Sequence, residues 1–205
     1  MDFARRRIVL GAGAGVLAAA SPKLLSPALD RGASHGASAD LHAAAAPAPG
    51  PVAATDVRTL FVESLHTGER LQAAYYENGG YVPEVLRTAD EVLRDWRTGE
   101  THPIDPGLFD ILDGLRTRLE ASRPFKIISG YRSPRTNDML SAKNSGVAKR
   151  SLHMDGKALD IRIQGVDLHH LHKAALDLGA GGVGFYPVSD FVHVDVGRVR
   201  RWTGA

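Results

Sequence analysis

The stretch Ser151-Leu152-His153-Met154-Asp155-Gly156-Lys157-Ala158-Leu159-Asp160-Ile161-Arg162-Ile163 decides how this chain folds. Its second half alternates, so Leu159, Ile161 and Ile163 form the core face of a strand and Asp160 and Arg162 are turned to the other face. His153 stands seven residues before Asp160, in a segment that breaks at Gly156. The last strand repeats the arrangement, with Val192, Val194 and Val196 on its core side and Phe191, His193 and Asp195 opposite. Two strands far apart in the chain therefore push a carboxylate and an imidazole out of an apolar layer.

Outward from this pair, the segment after Pro124 reads as short strands separated by Gly and polar loops: Phe125 to Ser129, Ala158 to Ile163, Val183 to Tyr186 and Phe191 to Val196. One helix interrupts them, Leu168 to Leu178, capped by Asp167 and closed by Gly179. Upstream, Pro83 opens a helix in which Val85, Leu86, Ala89, Val92, Leu93 and Trp96 recur at helical spacing. Asp105-Pro106 starts a second, burying Leu108, Ile111, Leu112, Leu115 and Leu119. Before both, Arg58 to Leu65 and Arg70 to Tyr76 face each other across His66-Thr67-Gly68-Glu69 as a hairpin. Helices followed by short strands predict an α+β domain over residues 56–205, with helices packed on a small, mainly antiparallel sheet.

Residues 21–55 are mostly Ala, Pro, Ser and Gly, too poor in large apolar side chains to offset their chain entropy, and read as a flexible linker. His35 and His42 fall there and read as solvated tail residues. Residues 1–20 read as an export signal: Arg5-Arg6-Arg7 precede the small apolar run Gly11 to Ala20, resembling a twin-arginine signal. An ordinary secretory signal would use the same charges, and both place the mature protein outside the cytoplasm, in the periplasm or cell envelope. The run falls short of the ~20 apolar residues of a membrane span, so no stable span is expected after processing.

The net charge of the 205 residues is +2, and Asp2 with the three arginines of the leader accounts for all of it. A nearly neutral domain lacks the basic stripe of a nucleic-acid binder. Cysteine is absent, which removes disulfides, thiolate ligands and a cysteine nucleophile, and leaves only His and carboxylates to hold a metal. Ser129 and Ser133 have no Gly-x-Ser-x-Gly context. His169, His170 and His172 lie in one predicted helix without the i, i+4 spacing of a metal grip, and His66 and His102 sit beside turns.

A His153, Asp160, His193 set would leave one position open for water, as in a catalytic zinc site, and zinc brings the pKa of a bound water to about 7. A loop-capping histidine and a satisfied strand histidine would use the same residue types, so spacing alone leaves both readings open.

Ser129-Gly-Tyr-Arg132-Ser, Ser151-x-His153-x-x-Gly156-x-Ala158-x-Asp160, Gly184-Phe-Tyr-Pro and Asp190-Phe-Val-His193-Val-Asp195 together resemble the M15-type zinc D-alanyl-D-alanine peptidases, within them the murein endopeptidase K branch. The similarity runs from about Arg58 to Trp202, with the four motifs in order. It implies a Hedgehog/DD-peptidase-like fold, Zn2+ held by His153, Asp160 and His193, and peptidoglycan stem peptides as substrate. Asp190 falls where many relatives place the glutamate that serves as general base, and Asp195 is its rival, as base or as a support behind a ligand. Arg132 matches the arginine that binds substrate or polarises its carbonyl. The resemblance implies a murein endopeptidase. A D,D- or L,D-carboxypeptidase of the same fold and a non-catalytic peptidoglycan-binding module are the alternatives.

Overall fold

The computed structural model describes residues 7–9, 56–143 and 148–204. The expected linker, the leader apart from Arg7–Val9, and His35 and His42 lie outside the described residues.

The expected hairpin forms from β2 (Arg58–Ser64) and β3 (Arg70–Glu77), paired antiparallel. Gly68, at φ 71°, makes the turn between them and donates its N–H to the Ser64 carbonyl at 2.9 Å. On the outer edge of β3 lie two short strands, β1 (Arg7–Val9), parallel, and β4 (Gly80–Tyr81), antiparallel. Then follow α1 (Pro83–Val92), α2 (Gly107–Arg118), β5 (Phe125–Ser129), α3 (Pro134–Lys143), β6 (Ala158–Ile163), α4 (Leu168–Leu178), β7 (Gly182–Tyr186), β8 (Phe191–Asp195) and β9 (Arg200–Thr203).

All nine strands described form one sheet in the order β1-β3-β2-β5-β6-β8-β7-β9, with β4 off the path. The class is α+β, as expected, but the sheet is larger and mixed: β1 with β3, β2 with β5 and β7 with β9 are parallel pairs among antiparallel ones. A single apolar cluster lies between this sheet and the helices α1, α2 and α4. Leu159, Ile161, Ile163, Val192 and Val194 belong to it, as their alternation predicts. Asp160 and His193 are thereby forced onto the opposite face.

Three local features differ from expectation. Helix α1 stops before Trp96, because the Leu93 carbonyl accepts the N–H of Tyr131 (2.8 Å) and Asp95 turns inward to accept from Ser133. Trp96 lies past the helix end, half-exposed, stacked on His66 at 4.1 Å between ring centres. Helix α3 replaces an expected polar loop. It has almost no apolar stripe, and its buried residues are the polar Thr136 and Asn137. Strand β9, Arg-Arg-Trp-Thr, likewise lacks an alternating apolar face.

A 3₁₀ turn, Leu152–Asp155, delivers His153 just before β6 and is closed by Gly156 at φ 65°. That residue has no room for a side chain: a Cβ would run into the Pro103 carbonyl and stand 3.0 Å from His102 Cδ2. Its left-handed backbone also disfavours any L-residue by about 1 kcal/mol. Gly156→Ala is expected to lower stability by at least about 1 kcal/mol, read as a lower urea midpoint at unchanged slope. An unchanged midpoint would mean that the turn is not held as described.

Candidate metal centre

The strand registers align residues from all four sequence motifs. Ser129 on β5 pairs with Asp160 on β6, Asp160 with His193 on β8, His193 with Gly184 on β7, and Gly184 with Trp202 on β9. Directly paired residues point their side chains to the same face. One row across five strands thus carries the carboxylate and the imidazole, with His153 brought over it by the 3₁₀ turn.

His153 Nε2, Asp160 Oδ1 and His193 Nδ1 converge, His153 Nε2 lying 3.2 Å from each of the other two and His193 Nδ1 2.9 Å from Asp160 Oδ1. All three residues are buried. The outward nitrogens fix what the inward ones can be. His153 Nδ1 faces the Gly130 carbonyl at 2.9 Å, and a carbonyl can only accept, so the His153 proton is on Nδ1 and Nε2 carries a bare lone pair. His193 Nε2 faces the Asp195 carboxylate at 3.2 Å, so neutral His193 holds its proton there and turns a bare Nδ1 inward. Three electron-pair donors then meet with no hydrogen among them. Such a set repels itself unless a cation joins it, and His nitrogen with carboxylate oxygen is what a divalent transition metal takes.

Without metal, a proton fills that role. Burial works against a charged His193, but its hydrogen bonds with Asp160 and Asp195 outweigh this and its pKa is pushed up to about 9. Burial holds His153 below the ordinary imidazole value. Burial would raise Asp160, yet the pull of His153 and His193 keeps it well below the usual carboxylate range. Among the described residues this is the one cluster able to hold a metal ion.

Asp195 has no exposed surface, and its carboxylate is fully engaged. Besides His193 it accepts from the Gly182 and Gly197 N–H groups at 3.1 and 2.8 Å and from both terminal nitrogens of Arg200 at 3.0 and 2.7 Å. Burial would raise it, but these donors hold it well below the usual range. It orients His193 and faces away from the cleft. Arg132 lies with the cluster, one terminal nitrogen 3.7 Å from Asp160 Oδ2, and its buried Nε has no partner. Its backbone is clamped: Arg132 N–H donates to the His153 carbonyl, and next to it Ser133 donates its N–H and O–H to the buried Asp95 at 2.9 and 2.8 Å.

Asp190 is set apart. It ends the β7–β8 turn at φ 53°, and its exposed carboxylate accepts from Arg162 Nε at 2.9 Å. Arg162 is two residues beyond Asp160 on the same face of β6, roughly 7 Å along the strand. His169 and His172 lie against Phe185, His66 against Trp96 and His102 against Tyr131, none of them with the cluster.

The cluster opens into a cleft of about 670 Å3, lined also by Arg132, Arg150, Tyr186, Phe191 and Trp202. Sequence reading singled out none of the last four for a role. Tyr186 and Phe191 each stand inside a recognised motif, which was the available signal; Arg150 and Trp202 carried none.

Three residues able to ligate a metal, facing an open cleft on an α+β sheet, match the donor pattern of a catalytic rather than a closed structural metal site. The family model described as "Peptidoglycan L,D-endopeptidase MepK" (Peptidase_M15_2) matches residues 52–202. The peptidoglycan L,D-endopeptidase MepK of Escherichia coli strain K12 is 46% identical over 145 residues, 71% of this chain and 80% of that protein. The probable peptidoglycan L,D-endopeptidase MepK of Haemophilus influenzae is 43% identical over 148 residues, 72% of this chain and 80% of its own. No solved structure matches. The chain belongs to this M15-type peptidase family and is a hydrolytic enzyme.

Metal loading must displace the His193 proton. Apparent zinc affinity should therefore fall about tenfold for each pH unit below about 9, measured by chelator competition between pH 6 and 8. At fixed pH, Asp195→Asn should weaken zinc binding 10- to 100-fold, in the range expected for a partner that orients a ligand, while Asp190→Asn leaves it unchanged. Equal affinities for Asp195→Asn and wild type would remove Asp195 from the site.

Proposed function

We propose that the chain is an exported zinc endopeptidase that hydrolyses peptide cross-links of peptidoglycan, L,D-linked ones by analogy with its named relatives. The observation that carries this reading is the convergence of two bare imidazole nitrogens and one carboxylate oxygen at the floor of a cleft. The cleft also suits the substrate's charge. Among the described residues lining it, Asp160 is the sole carboxylate, while Arg132 and Arg150 present cations to stem peptides rich in carboxylates.

In this reading His153 Nε2, Asp160 and His193 Nδ1 hold the zinc. When bound, zinc supplies a Lewis acid that makes water a nucleophile near neutral pH. Arg132 contributes a fixed cation lining the cleft beside the site, where its charge favours the carbonyl oxygen as that oxygen gains negative charge. Burial lowers the Arg132 pKa, yet guanidinium keeps its charge. Asp190 acts as general base and passes the proton to the leaving amine, after its exposed carboxylate exchanges Arg162 for the cleft. Two features support that assignment: its chain neighbours Ser189 and Phe191 both line the cleft, and Asp195 is sealed behind His193. The run from Arg5 to Ala20 supports export by a leader of twin-arginine or ordinary secretory type, with the domain working in the periplasm or cell envelope. No helix among the described residues is long and apolar enough to cross a membrane.

Purified cross-linked peptidoglycan, digested by zinc-loaded protein and resolved by mass, should lose dimers and gain matching monomers, and a chelator should stop this. Shortened stems with intact dimers would indicate a carboxypeptidase, and unchanged muropeptides a binding module. Asp190→Asn should lower kcat by about 10²- to 10⁴-fold with zinc content unchanged. Near-wild-type turnover would place the base elsewhere.

A further inference from the structure

One wall of the cleft is built with more care than a surface needs. Trp202 on β9 lies across Gly184, where a Cβ would stand 2.6 Å from the indole Cε2, so only glycine leaves it a seat. Gly204 serves Tyr186 in the same way, since a Cβ there would overlap the phenol ring. Tyr186 is also stacked on Phe191, ring centres 4.4 Å apart and planes 17° from parallel. The indole lies 5.2 Å from the His193 ring, and the Arg200 guanidinium that holds Asp195 covers it at 4.9 Å. Both rings are therefore fixed in orientation and share the wall beside the metal cluster.

The polar ends of the two rings meet. Trp202 Nε1–H donates to the Tyr186 hydroxyl oxygen at 2.9 Å. Indole nitrogen is a donor only, so this bond occupies a lone pair of the hydroxyl and turns its own proton away from Trp202. Among the described residues no acceptor takes that proton, and Tyr186 lines the cleft.

We infer that Tyr186 is a substrate-contacting residue whose O–H donates to a carbonyl or carboxylate oxygen of the bound stem peptide, and that Trp202 is a positioning residue acting through it. This rests on the peptidase reading of the cleft. A hydroxyl whose lone pair is already claimed by a rigid indole loses less freedom on meeting substrate than a free rotor.

The test compares kcat and KM of wild type, Tyr186→Phe, Trp202→Phe and the double variant on a purified cross-linked muropeptide dimer, with zinc content and thermal midpoint measured alongside. Tyr186→Phe keeps the stacked ring and removes only the hydroxyl, and kcat/KM should fall about tenfold at unchanged zinc content. Trp202→Phe should fall by less, about threefold, and the double variant no further than Tyr186→Phe, because the indole acts through the hydroxyl. Tyr186→Phe within twofold of wild type, or losses that multiply in the double variant, would overturn the inference while leaving the enzyme's function intact. A wild type inactive on every dimer would instead overturn the peptidase reading, and this inference with it.

Discussion

Bare lone pairs on two imidazoles and a carboxylate, held within about 3 Å of one another in a buried place, are the constraint around which this domain is arranged. The repulsion is tolerable only when a cation sits among them, so the protein must hold them together by other means. The register between β6 and β8 does most of this, pairing Asp160 with His193. It is enforced from the other side of the sheet, where Leu159, Ile161, Val192 and Val194 are packed into the core. A slip of one residue would bury the ligands among those side chains and expose the valines. Core packing on one face thus sets the geometry of the His153, Asp160 and His193 cluster on the other.

Each ligand is then aimed by a group that accepts its far proton. A backbone carbonyl serves His153 and a carboxylate serves His193. The carboxylate, Asp195, is itself a buried charge, and it is affordable because two backbone N–H groups and Arg200 surround it. Gly182 supplies one of those N–H groups at a position where a Cβ would collide with Asp195 and Arg200. Gly156, Gly184 and Gly204 likewise stand where another chain segment or ring approaches. Much of the motif glycine content is therefore a record of close packing around the centre.

The alternation in Ala158–Ile163 and Phe191–Asp195 made the two ligand strands and their outward faces readable, because burial on one side leaves a period-2 trace. Helix α2 was readable from its apolar spacing and the Asp105 ahead of it, and α4 from its capping Asp167 and closing Gly179. Helix α3 and strand β9 were not, since Thr136, Asn137 and the Arg-Arg-Trp-Thr run leave no apolar period. The convergence of His153 with the strand pair came from family likeness; the chain itself shows only a spacing of seven residues. Sequence also cannot show which nitrogen of each imidazole is bare, because that depends on Gly130 and Asp195 arriving from elsewhere. Asp190 marks the limit most clearly. Its place three residues before His193 suggested a site residue, whereas the left-handed turn that carries it directs its carboxylate to Arg162.

The central claim, that these three atoms hold a catalytic metal, is tested most directly by anomalous diffraction at the zinc absorption edge from crystals of the metal-loaded protein. The account predicts a single peak at the cleft floor within about 2.0–2.2 Å of His153 Nε2, Asp160 Oδ1 and His193 Nδ1. A peak bound elsewhere, or zinc-loaded crystals in which His193 still donates a proton to Asp160 with no metal between them, would contradict it.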